Sequence, residues 1–263
     1  MTPTYLDKIV ASHRARAARD ARDWRVRSVQ SDAHSLAAAL RSHRGQGNAV
    51  IAEVKRKSPS KGWLSEYLDP KKLAASYASG GASAVSVLTD EEHFGGSVAD
   101  LRLVREVVDV PLLRKDFTVS INDVLDTVEM GASAVLLIVS ALSIDELREF
   151  HDVALSNGID ALVEVHDVEE ADIALSIGAT LIGVNQRDLH SFAVDAERAE
   201  KVAASIPSSV VAVAESGFGS PEAVRRAASS GFDAVLVGES FVTSSDPTTE
   251  VASFVGFPIG SRA

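Results

Sequence analysis

Apolar runs of strand length recur along the chain, and most of them end in a polar residue or a glycine. Runs that are nearly continuous in Val, Ile, Leu and Ala predict strands buried on both faces, as in parallel sheets. Helical patterns separate them, for example in the segments Leu101–Val108 and Val168–Gly178. The pattern predicts eight strands: Val50–Lys55, Ala84–Leu88, Pro111–Lys115, Ala134–Val139, Ala161–Val165, Leu181–Asn185, Val210–Glu215 and Ala234–Gly238.

A weak internal repeat supports this pattern. Segments that begin at Gly81, Gly131, Gly178 and Gly231 share one order, in which a glycine ends a helix, a short turn follows and a buried strand begins. Eight units that start roughly 20–34 residues apart indicate an α/β fold of the closed (β/α)8 type, the TIM barrel. An open doubly wound sheet is the alternative. In a barrel, the carboxyl ends of all strands open onto one face, where the active site is built.

The composition agrees with a single barrel. The chain has 263 residues, of which 46% are hydrophobic, and barrels of about 250 residues form one domain. We assign residues 46–263 to a catalytic barrel and residues 1–45 to a helical extension packed on it. No run reaches the ~18 apolar residues of a membrane span, and the N-terminus lacks the apolar segment of a secretory signal. Without cysteines there is no disulfide, thiol nucleophile or thiolate metal site. We expect a cytoplasmic enzyme.

The charge is distributed unevenly. The net charge of −11 argues against a nucleic-acid partner, but the first 45 residues hold nine Lys and Arg against four Asp and Glu. A basic arm of this kind could contact RNA or a membrane. We favour a helical extension with Ser35–Leu40 as its apolar face and its arginines in solvent. We therefore expect neither a nucleic-acid nor a membrane partner, and a monomer.

Ionisable residues at the strand ends are the candidates for chemistry. Glu53 and Lys55 are two apart on one strand, so alternation points both to the same side. A charge pair inside a dry barrel is costly, which favours a pocket. Lys115 could donate a proton or bind an anion, and we expect burial or neighbouring cations to lower its pKa. Glu164 lies between two valines, so its side chain must face polar surroundings or be protonated. It is either a candidate base or part of a structural ion pair.

Two glycine motifs at the last strands indicate a phosphate site. The seventh and eighth strands end in Glu215–Ser220 (ESGFGS) and Gly238–Ser240 (GES). Glycine lets the backbone approach a ligand, and exposed N–H groups bind anions at loop and helix starts. Barrels frequently hold phosphate at this location, so a phosphate monoester or sugar phosphate is the expected substrate. No zinc-protease, EF-hand, P-loop or dinucleotide motif occurs. His93 and His166 are expected to be loop residues rather than metal ligands.

The ordered set EVKRKSPSKG, LLRKDF, VLLIV, LVEVH, GVNQRDL, ESG and VGES resembles the indole-3-glycerol phosphate synthases of tryptophan biosynthesis. The resemblance runs from about Val50 to Ser240 and includes the family's helical N-terminal extension. It implies conversion of 1-(2-carboxyphenylamino)-1-deoxyribulose 5-phosphate to indole-3-glycerol phosphate, carbon dioxide and water. The partner would be a small sugar phosphate, and no cofactor or metal would be used.

The resemblance also implies roles for individual residues. Lys115 matches the general acid that protonates the C2′ carbonyl, Glu164 the base of the dehydration, and Lys55 a lysine near the substrate carboxylate and phosphate. The residues that match the positioning groups are Glu53, Asn185 and Arg187. The residues that match the phosphate cradle are Ser58, Ser216, Gly217, Gly238 and Glu239. The residues that match the apolar wall around the aromatic ring are Phe94, Phe117, Leu136 and Leu189.

Three positions depart from the commoner family pattern without removing a catalytic group: Trp63, Gln186 and Phe218. Two other interpretations stay open. One is a different sugar-phosphate barrel such as phosphoribosylanthranilate isomerase, which resembles a Cys and Asp acid–base pair for which this chain lacks the cysteine. The other is a non-catalytic barrel, which would be expected to have lost Lys115 or Glu164.

Overall fold

Eight parallel strands close into a barrel in the computed structural model, which describes residues 4–26, 31, 34–59, 61–188 and 193–262. Each strand pairs with the next in the chain, and the last pairs with the first. The closed barrel is confirmed, and the predicted strands are right to within one residue at each end. The strands are β1 Ala49–Val54, β2 Ala84–Leu88, β3 Leu112–Lys115, β4 Ala134–Ile138, β5 Asp160–Val165, β6 Leu181–Asn185, β7 Val211–Glu215 and β8 Ala234–Val237.

Helices precede the barrel and connect its strands. They are α1 Tyr5–Ala17, α2 Leu36–Ser42, α3 Pro70–Ser79, α4 Glu91–Phe94, α5 Val98–Arg105, α6 Ile121–Glu129, α7 Ile144–Ser156, α8 Val168–Ser176, α9 Ala196–Ser205, α10 Pro221–Ser229, α11 Glu239–Thr243 and α12 Pro247–Ala252. Short 3₁₀ turns cover Trp24–Val26 and Val139–Ala141. After β1, Lys57–Ser58 and Gly62–Trp63 pair as a small antiparallel hairpin.

The helix boundaries follow from the local sequence. Ser97, Ser120 and Ser143 each accept a backbone N–H of the first turn of α5, α6 and α7, which satisfies a donor that the helix leaves free. Gly131 and Gly178, which follow α6 and α8, have φ of +81° and +83°, a conformation that glycine adopts readily. These are the helix-ending glycines that the repeat predicted.

The barrel interior is filled by alternate residues of the strands. On β1, Ala49 and Ile51 point inward and are fully buried. Helix α2 closes the amino-terminal end, since Leu36 and Leu40 pack into the same interior cluster and are fully buried. The predicted apolar segment Ser35–Leu40 is thus confirmed, with Ser35 as the N-cap. The same alternation brings the next inward residues of the strands to the opposite, carboxyl-terminal face.

The N-terminal extension is tied to the barrel by arginines. Arg14 of α1 donates to both carboxylate oxygens of Glu146. Arg44, after α2, donates to both oxygens of the buried Asp233. The prediction that the arginines lie in solvent is therefore wrong for Arg44, whose side chain is only 31% exposed. Among the described residues, no helix is both long and apolar enough to cross a membrane.

Candidate active site

A cavity of about 750 Å³ opens at the carboxyl ends of the strands. This volume suits a small organic ligand. Every predicted site residue that the structure describes lines it: Glu53, Lys55, Ser58, Phe94, Lys115, Phe117, Leu136, Glu164, Asn185, Arg187, Ser216, Gly217, Gly238 and Glu239. The remaining one, Leu189, lies outside the described residues. The strand alternation therefore brings together residues that are up to 186 positions apart in the sequence.

Lys115 stands at the centre of the charged floor. Its Nζ donates to Oε2 of Glu164 at 3.0 Å and lies 3.3 Å from Oε2 of Glu215. Asn185 donates from Nδ2 to the other oxygen of Glu164 at 3.1 Å. Because both glutamates are almost completely buried, these contacts replace the water that the charged groups lose. Glu164 and Glu215 therefore hold the ammonium group of Lys115, and Asn185 holds Glu164.

The pKa of Lys115 is raised, and the expectation that it would be lowered is wrong. Burial alone lowers this pKa, but the negative charges of Glu164, Glu215 and Glu53 more than offset it. The expectation named burial or neighbouring cations as the cause; burial does act in that direction, but the charged neighbours are carboxylates. Lys115 therefore carries its proton throughout the physiological pH range before substrate binds. A substrate that neutralises or displaces these carboxylates would make the proton easier to release.

The two glutamates beside Lys115 differ in their pKa. Burial raises the pKa of Glu164, but Lys115 and then His166 outweigh it and lower the pKa to about 2. Burial raises the pKa of Glu215 to about 7, Lys115 opposes this, and the charge of Glu164 adds to it. Near neutral pH Glu164 is ionised and Glu215 is partly protonated. Neighbouring carboxyls whose pKa values are driven apart are typical of acid–base sites.

The sequence analysis did not include Glu215 among the site residues. It ends β7 as Glu164 nearly ends β5, and it pairs with Asn185 in the strand register. Its Oε1 is buried without a hydrogen-bond partner among the described residues. The signal was present, since Glu215 is an isolated acidic residue after the apolar run VVAVA. A buried polar atom without a partner is rare in folded proteins and calls for an explanation.

Glu53 and Lys55 form the predicted pair. Lys55 donates from Nζ to Oε1 of Glu53, and both line the cavity. The prediction that these charges face a pocket rather than a dry interior is confirmed. Gly238 on β8 lies directly against the pair, because a Cβ atom at this position would lie 2.6 Å from Oε1 of Glu53 and 3.1 Å from Nζ of Lys55.

The loop after β7 has the backbone of a strained binding loop. Ser216 has φ of +71°, and it is the one residue other than glycine with positive φ in the described part of the chain. Gly217 follows with φ of +82°. Gln186, one of the unusual residues, donates from Nε2 to the carbonyl oxygen of Ser216 at 2.9 Å and holds the loop in place. Such strain is typical of ligand-binding segments.

Loop residues close the neighbouring side of the cavity. Lys61 reaches across from the loop after β1 to an oxygen of Glu239. Ser58 and Gly238 line the same side. Within the described ranges, no residue accepts a hydrogen bond from the N–H of Gly217. This end of the cavity is therefore rich in hydroxyls, free backbone N–H and lysine charge.

The other end of the cavity is apolar, and α1 forms part of it. Phe94 and Phe117 are in contact, with ring centroids 6.1 Å apart. From α1, Tyr5, Leu6 and Ile9 line the cavity. The sequence analysis placed the extension on the barrel but did not predict that it lines the site. The signal was the helical spacing of Leu6, Ile9 and His13.

A buried histidine fixes α1 to the barrel. His13 shares a hydrogen bond of 2.8 Å between Nε2 and Oδ2 of Asp90, and its ring packs against Phe117. His93 also contacts Asp90, and ligand atoms of the three lie within 4.8 Å of one another, so they could hold a metal ion. Their mutual hydrogen bonds already account for the arrangement. His93 lies in α4, so its placement in a loop was wrong. The absence of a metal stays a prediction.

These features define a class: a TIM-barrel enzyme with an acid–base centre at the strand ends, an anion-binding end and an apolar end. The sequence model of the indole-3-glycerol phosphate synthase family matches residues 6–254. An indole-3-glycerol phosphate synthase from a Nocardioides species is 51% identical over 81% of this chain and 82% of its own. An indole-3-glycerol phosphate synthase from Chloroherpeton thalassium is 44% identical over 92% of this chain and 95% of its own.

The chain belongs to the indole-3-glycerol phosphate synthase family, carboxy-lyases of tryptophan biosynthesis. Solved structures at low identity show the fold alone. A 3-hexulose-6-phosphate synthase superimposes with a TM-score of 0.62 at 11% identity over 78% of this chain and 97% of its own. A thiamine phosphate pyrophosphorylase from Pyrococcus furiosus superimposes with a TM-score of 0.59 at 16% identity, over 80% of this chain and 95% of its own.

Proposed function

We propose that this pocket converts 1-(2-carboxyphenylamino)-1-deoxyribulose 5-phosphate to indole-3-glycerol phosphate, carbon dioxide and water, with Lys115 as general acid and Glu164 as base. Membership of the family supports the reaction. The observation that carries the assignment of roles is the 3.0 Å hydrogen bond between Lys115 and Glu164 at the cavity floor. An acid and a base that share a hydrogen bond can exchange a proton between successive steps.

Ring closure requires a proton donor at the sugar carbonyl. The aromatic carbon that bears the carboxylate attacks C2′, and the carbonyl oxygen takes a proton as the C–C bond forms. Lys115 is the donor, since it is cationic and lies at the centre of the floor. Loss of the ring carboxylate as carbon dioxide then restores the aromatic ring. The pocket contributes by holding the ring against the carbonyl, which removes much of the entropic barrier.

Dehydration requires a base. The C2′ hydroxyl leaves as water, and a proton is removed to complete the indole. Glu164 is the base because Lys115 and Asn185 keep it ionised and oriented. Glu215, on the other side of Lys115, is partly protonated near neutral pH. It is suited to exchange hydrogen bonds with a substrate hydroxyl rather than to act as the main base.

The two ends of the cavity bind different parts of the substrate. The phosphate lies at the end formed by Ser58, Ser216, Gly217, Gly238 and Glu239. The N–H of Gly217, which has no acceptor among the described residues, and the side chains of Lys55 and Lys61 favour an anion there. The aromatic ring lies at the apolar end, against Phe94, Phe117 and Leu136.

The remaining polar residues position the substrate between these ends. Glu53, Asn185 and Arg187 lie between the two ends and orient the hydroxyls and the ring carboxylate. Arg187 follows β6 and pairs in an isolated bridge with Val194, which sets its backbone at the rim of the pocket. A guanidinium at this position is suited to a carboxylate.

A direct assay separates this proposal from its alternatives. Purified protein is incubated with the carboxyphenylamino-deoxyribulose phosphate, and with phosphoribosylanthranilate in parallel, while indole fluorescence is followed. Fluorescence should rise with the first substrate alone. Consumption of phosphoribosylanthranilate without indole formation would favour an isomerase. Inertness towards both substrates would favour a binding protein.

We also propose that the enzyme works as a monomer in the cytoplasm. The cavity is complete within one chain, since strands, loops and α1 of the same chain line it. Size-exclusion chromatography with light scattering at micromolar concentration should give the mass of one chain, 27.8 kDa.

A further inference from the structure

His166 follows β5 and contacts two carboxylates. Its backbone N–H and its Nδ1 both meet Oε2 of Glu170, at 2.8 and 3.0 Å. Its Nε2 lies 3.6 Å from Oε1 of Glu164. This Nε2 is buried and has no hydrogen-bond partner among the described residues. A buried ring nitrogen that is aimed at the base but not bonded to it calls for an explanation.

The three side chains lead from the cavity to the surface. The side chain of Glu164 is 3% exposed, that of His166 11% and that of Glu170 18%. Glu170 is fixed in the first turn of α8, where its N–H donates to Oδ1 of Asp167. The 3.6 Å gap is longer than a hydrogen bond, but such contacts commonly shorten when substrate binds.

The reaction consumes a proton. The substrate carries an ionised carboxylate, which leaves as neutral carbon dioxide, and the displaced hydroxyl leaves as water. Each turnover therefore takes up one proton more than it releases. The pair of Lys115 and Glu164 must regain that proton from solvent before the next turnover, and the two side chains are only 16% and 3% exposed.

We propose that His166 relays this proton, taking it from the side of Glu170 and passing it from Nε2 to Glu164. The inference rests on the role of Glu164 proposed above. His166 does not touch the substrate; it acts through Glu164. A solvent proton that reaches Glu170 passes to Nδ1 of the neutral ring, whose other proton lies on Nε2, and the resulting imidazolium gives its Nε2 proton to Glu164. The neutral ring then holds its proton on Nδ1, and exchange with solvent returns that proton to Nε2 before the next transfer. Glu164 then passes the proton across the 3.0 Å bond to Lys115. No bond other than those to hydrogen changes.

The charges around His166 suit this task. Burial lowers the pKa of His166 and the charge of Arg198 adds to this effect. The hydrogen bond that the ring donates to Glu170 and the charges of Glu164 and Glu170 outweigh both, so the net pKa is raised. Histidine ordinarily titrates near neutrality. A raised pKa favours the protonated ring, which has a proton on Nε2 to give to Glu164.

The test compares the first turnover with later ones. His166→Gln keeps an amide that can hydrogen-bond but cannot carry a proton. In a rapid-mixing experiment the first turnover should proceed at the wild-type rate, since Lys115 already holds its proton. Steady-state kcat should fall at least ~10-fold, KM should stay within about threefold, and the solvent deuterium isotope effect on kcat should rise. His151→Gln is the matched control, because His151 is also largely shielded from solvent but lies on α7 and does not line the cavity. It should keep the wild-type kcat.

Glu170→Gln supplies a second, independent readout. Removing this carboxylate takes away an interaction that raises the pKa of His166. The ring should then lose its proton at lower pH, so the alkaline limb of the kcat profile should move to lower pH, with KM nearly unchanged. Circular dichroism shows whether either variant is folded.

Three results would overturn the relay: wild-type steady-state kcat in His166→Gln, an equal slowing of first and later turnovers, or an unmoved alkaline limb in Glu170→Gln. Glu164→Gln, measured in parallel, should slow the first turnover itself. If Glu164→Gln keeps that rate, the proposed base is wrong. If only the His166 and Glu170 variants behave as wild type, the base stands and the relay alone fails.

Discussion

Gly183 on β6 makes room for the carboxylate of Glu215 on β7. A Cβ atom at position 183 would overlap Oε1 of Glu215. In the strand register Gly183 pairs with Glu164 of β5, and Glu215 lies opposite Asn185, two residues further along β6. Glu215 therefore reaches Lys115 because its neighbour on the next strand lacks a side chain. Glycine serves here for space, in a strand where it would otherwise be unfavourable.

Gly183→Ala should impair catalysis. The added methyl group displaces Glu215 from Lys115, so kcat should fall at least ~10-fold, with a loss of about 1–3 kcal/mol in the free energy of unfolding from overpacking. Steady-state kinetics and urea unfolding measure both. Gly45→Ala is the control, because a Cβ at position 45 meets nothing within 4 Å; it should change neither. Wild-type kcat in Gly183→Ala would show that the position of Glu215 does not matter to turnover.

The pKa of Glu215 predicts a pH dependence of stability. In the folded protein this pKa is raised to about 7, from an ordinary value of 4.5. The folded state binds the proton more tightly, so the group stabilises the fold fully below pH 4.5, and this contribution is lost as the pH rises through 7. Glu164, with a lowered pKa, stabilises the fold above pH 4.5 and loses this contribution only as the pH falls towards 2. Between pH 5 and 8, therefore, only Glu215 of these two glutamates changes its contribution to the free energy of unfolding.

Glu215→Gln should remove that dependence. From pH 5 to pH 8, the free energy of unfolding of the wild type should fall relative to the variant by on the order of 2–3 kcal/mol. Urea unfolding at the two pH values measures it. Parallel curves for wild type and variant would mean that Glu215 titrates near its ordinary pKa.

The sequence was sufficient for the barrel and for most of the site. Strand boundaries followed from apolar runs between helix-ending glycines, and inward-pointing residues such as Glu53 and Glu164 followed from alternation. What alternation could not show is which charges meet across the barrel. The pKa of Lys115 was expected to be lowered by burial or neighbouring cations, yet its neighbours are Glu164 of β5 and Glu215 of β7, and these contacts depend on how the barrel closes.

The contribution of α1 was harder to foresee. Its pattern of Leu6, Ile9 and His13 predicts a helix with one buried face, but a periodic pattern does not say which surface it covers. The position is set by His13, which reaches Asp90 at the end of β2, a contact between residues 77 positions apart. Long-range polar contacts of this kind leave no local signal in one sequence.

Glu164→Gln keeps the shape of the base and removes its charge. Turnover should fall at least ~10²-fold, the usual scale for a lost acid–base group, with a much smaller change in KM. Steady-state kinetics of indole formation measures both. If KM alone rose, Glu164 would be a binding residue, and Glu53 would be the first alternative for the base.

Gly217→Ala tests the phosphate end. The residue has φ of +82°, and a Cβ there would lie 2.6 Å from Cγ1 of Val194, so the loop must shift. KM should rise by about tenfold, equivalent to about 1.4 kcal/mol, with little change in kcat. Gly178→Ala is the matched control, because Gly178 has φ of +83° and no atom lies within 4 Å of a Cβ built at this position. Both variants should lose about 1–2 kcal/mol of stability from the left-handed backbone, and only Gly217→Ala should raise KM. Equal KM values in the two variants would argue against a phosphate at this loop.

The assignment of Lys115 as general acid is the central claim, and Lys115→Met tests it most directly. The methionine side chain fills a similar space but has no proton to give. We predict that this variant forms no measurable indole-3-glycerol phosphate from the carboxyphenylamino-deoxyribulose phosphate. It should keep the circular dichroism of the wild type and bind the substrate within about tenfold of the wild-type affinity by titration calorimetry. Near-normal turnover in a folded, substrate-binding Lys115→Met variant would contradict the account.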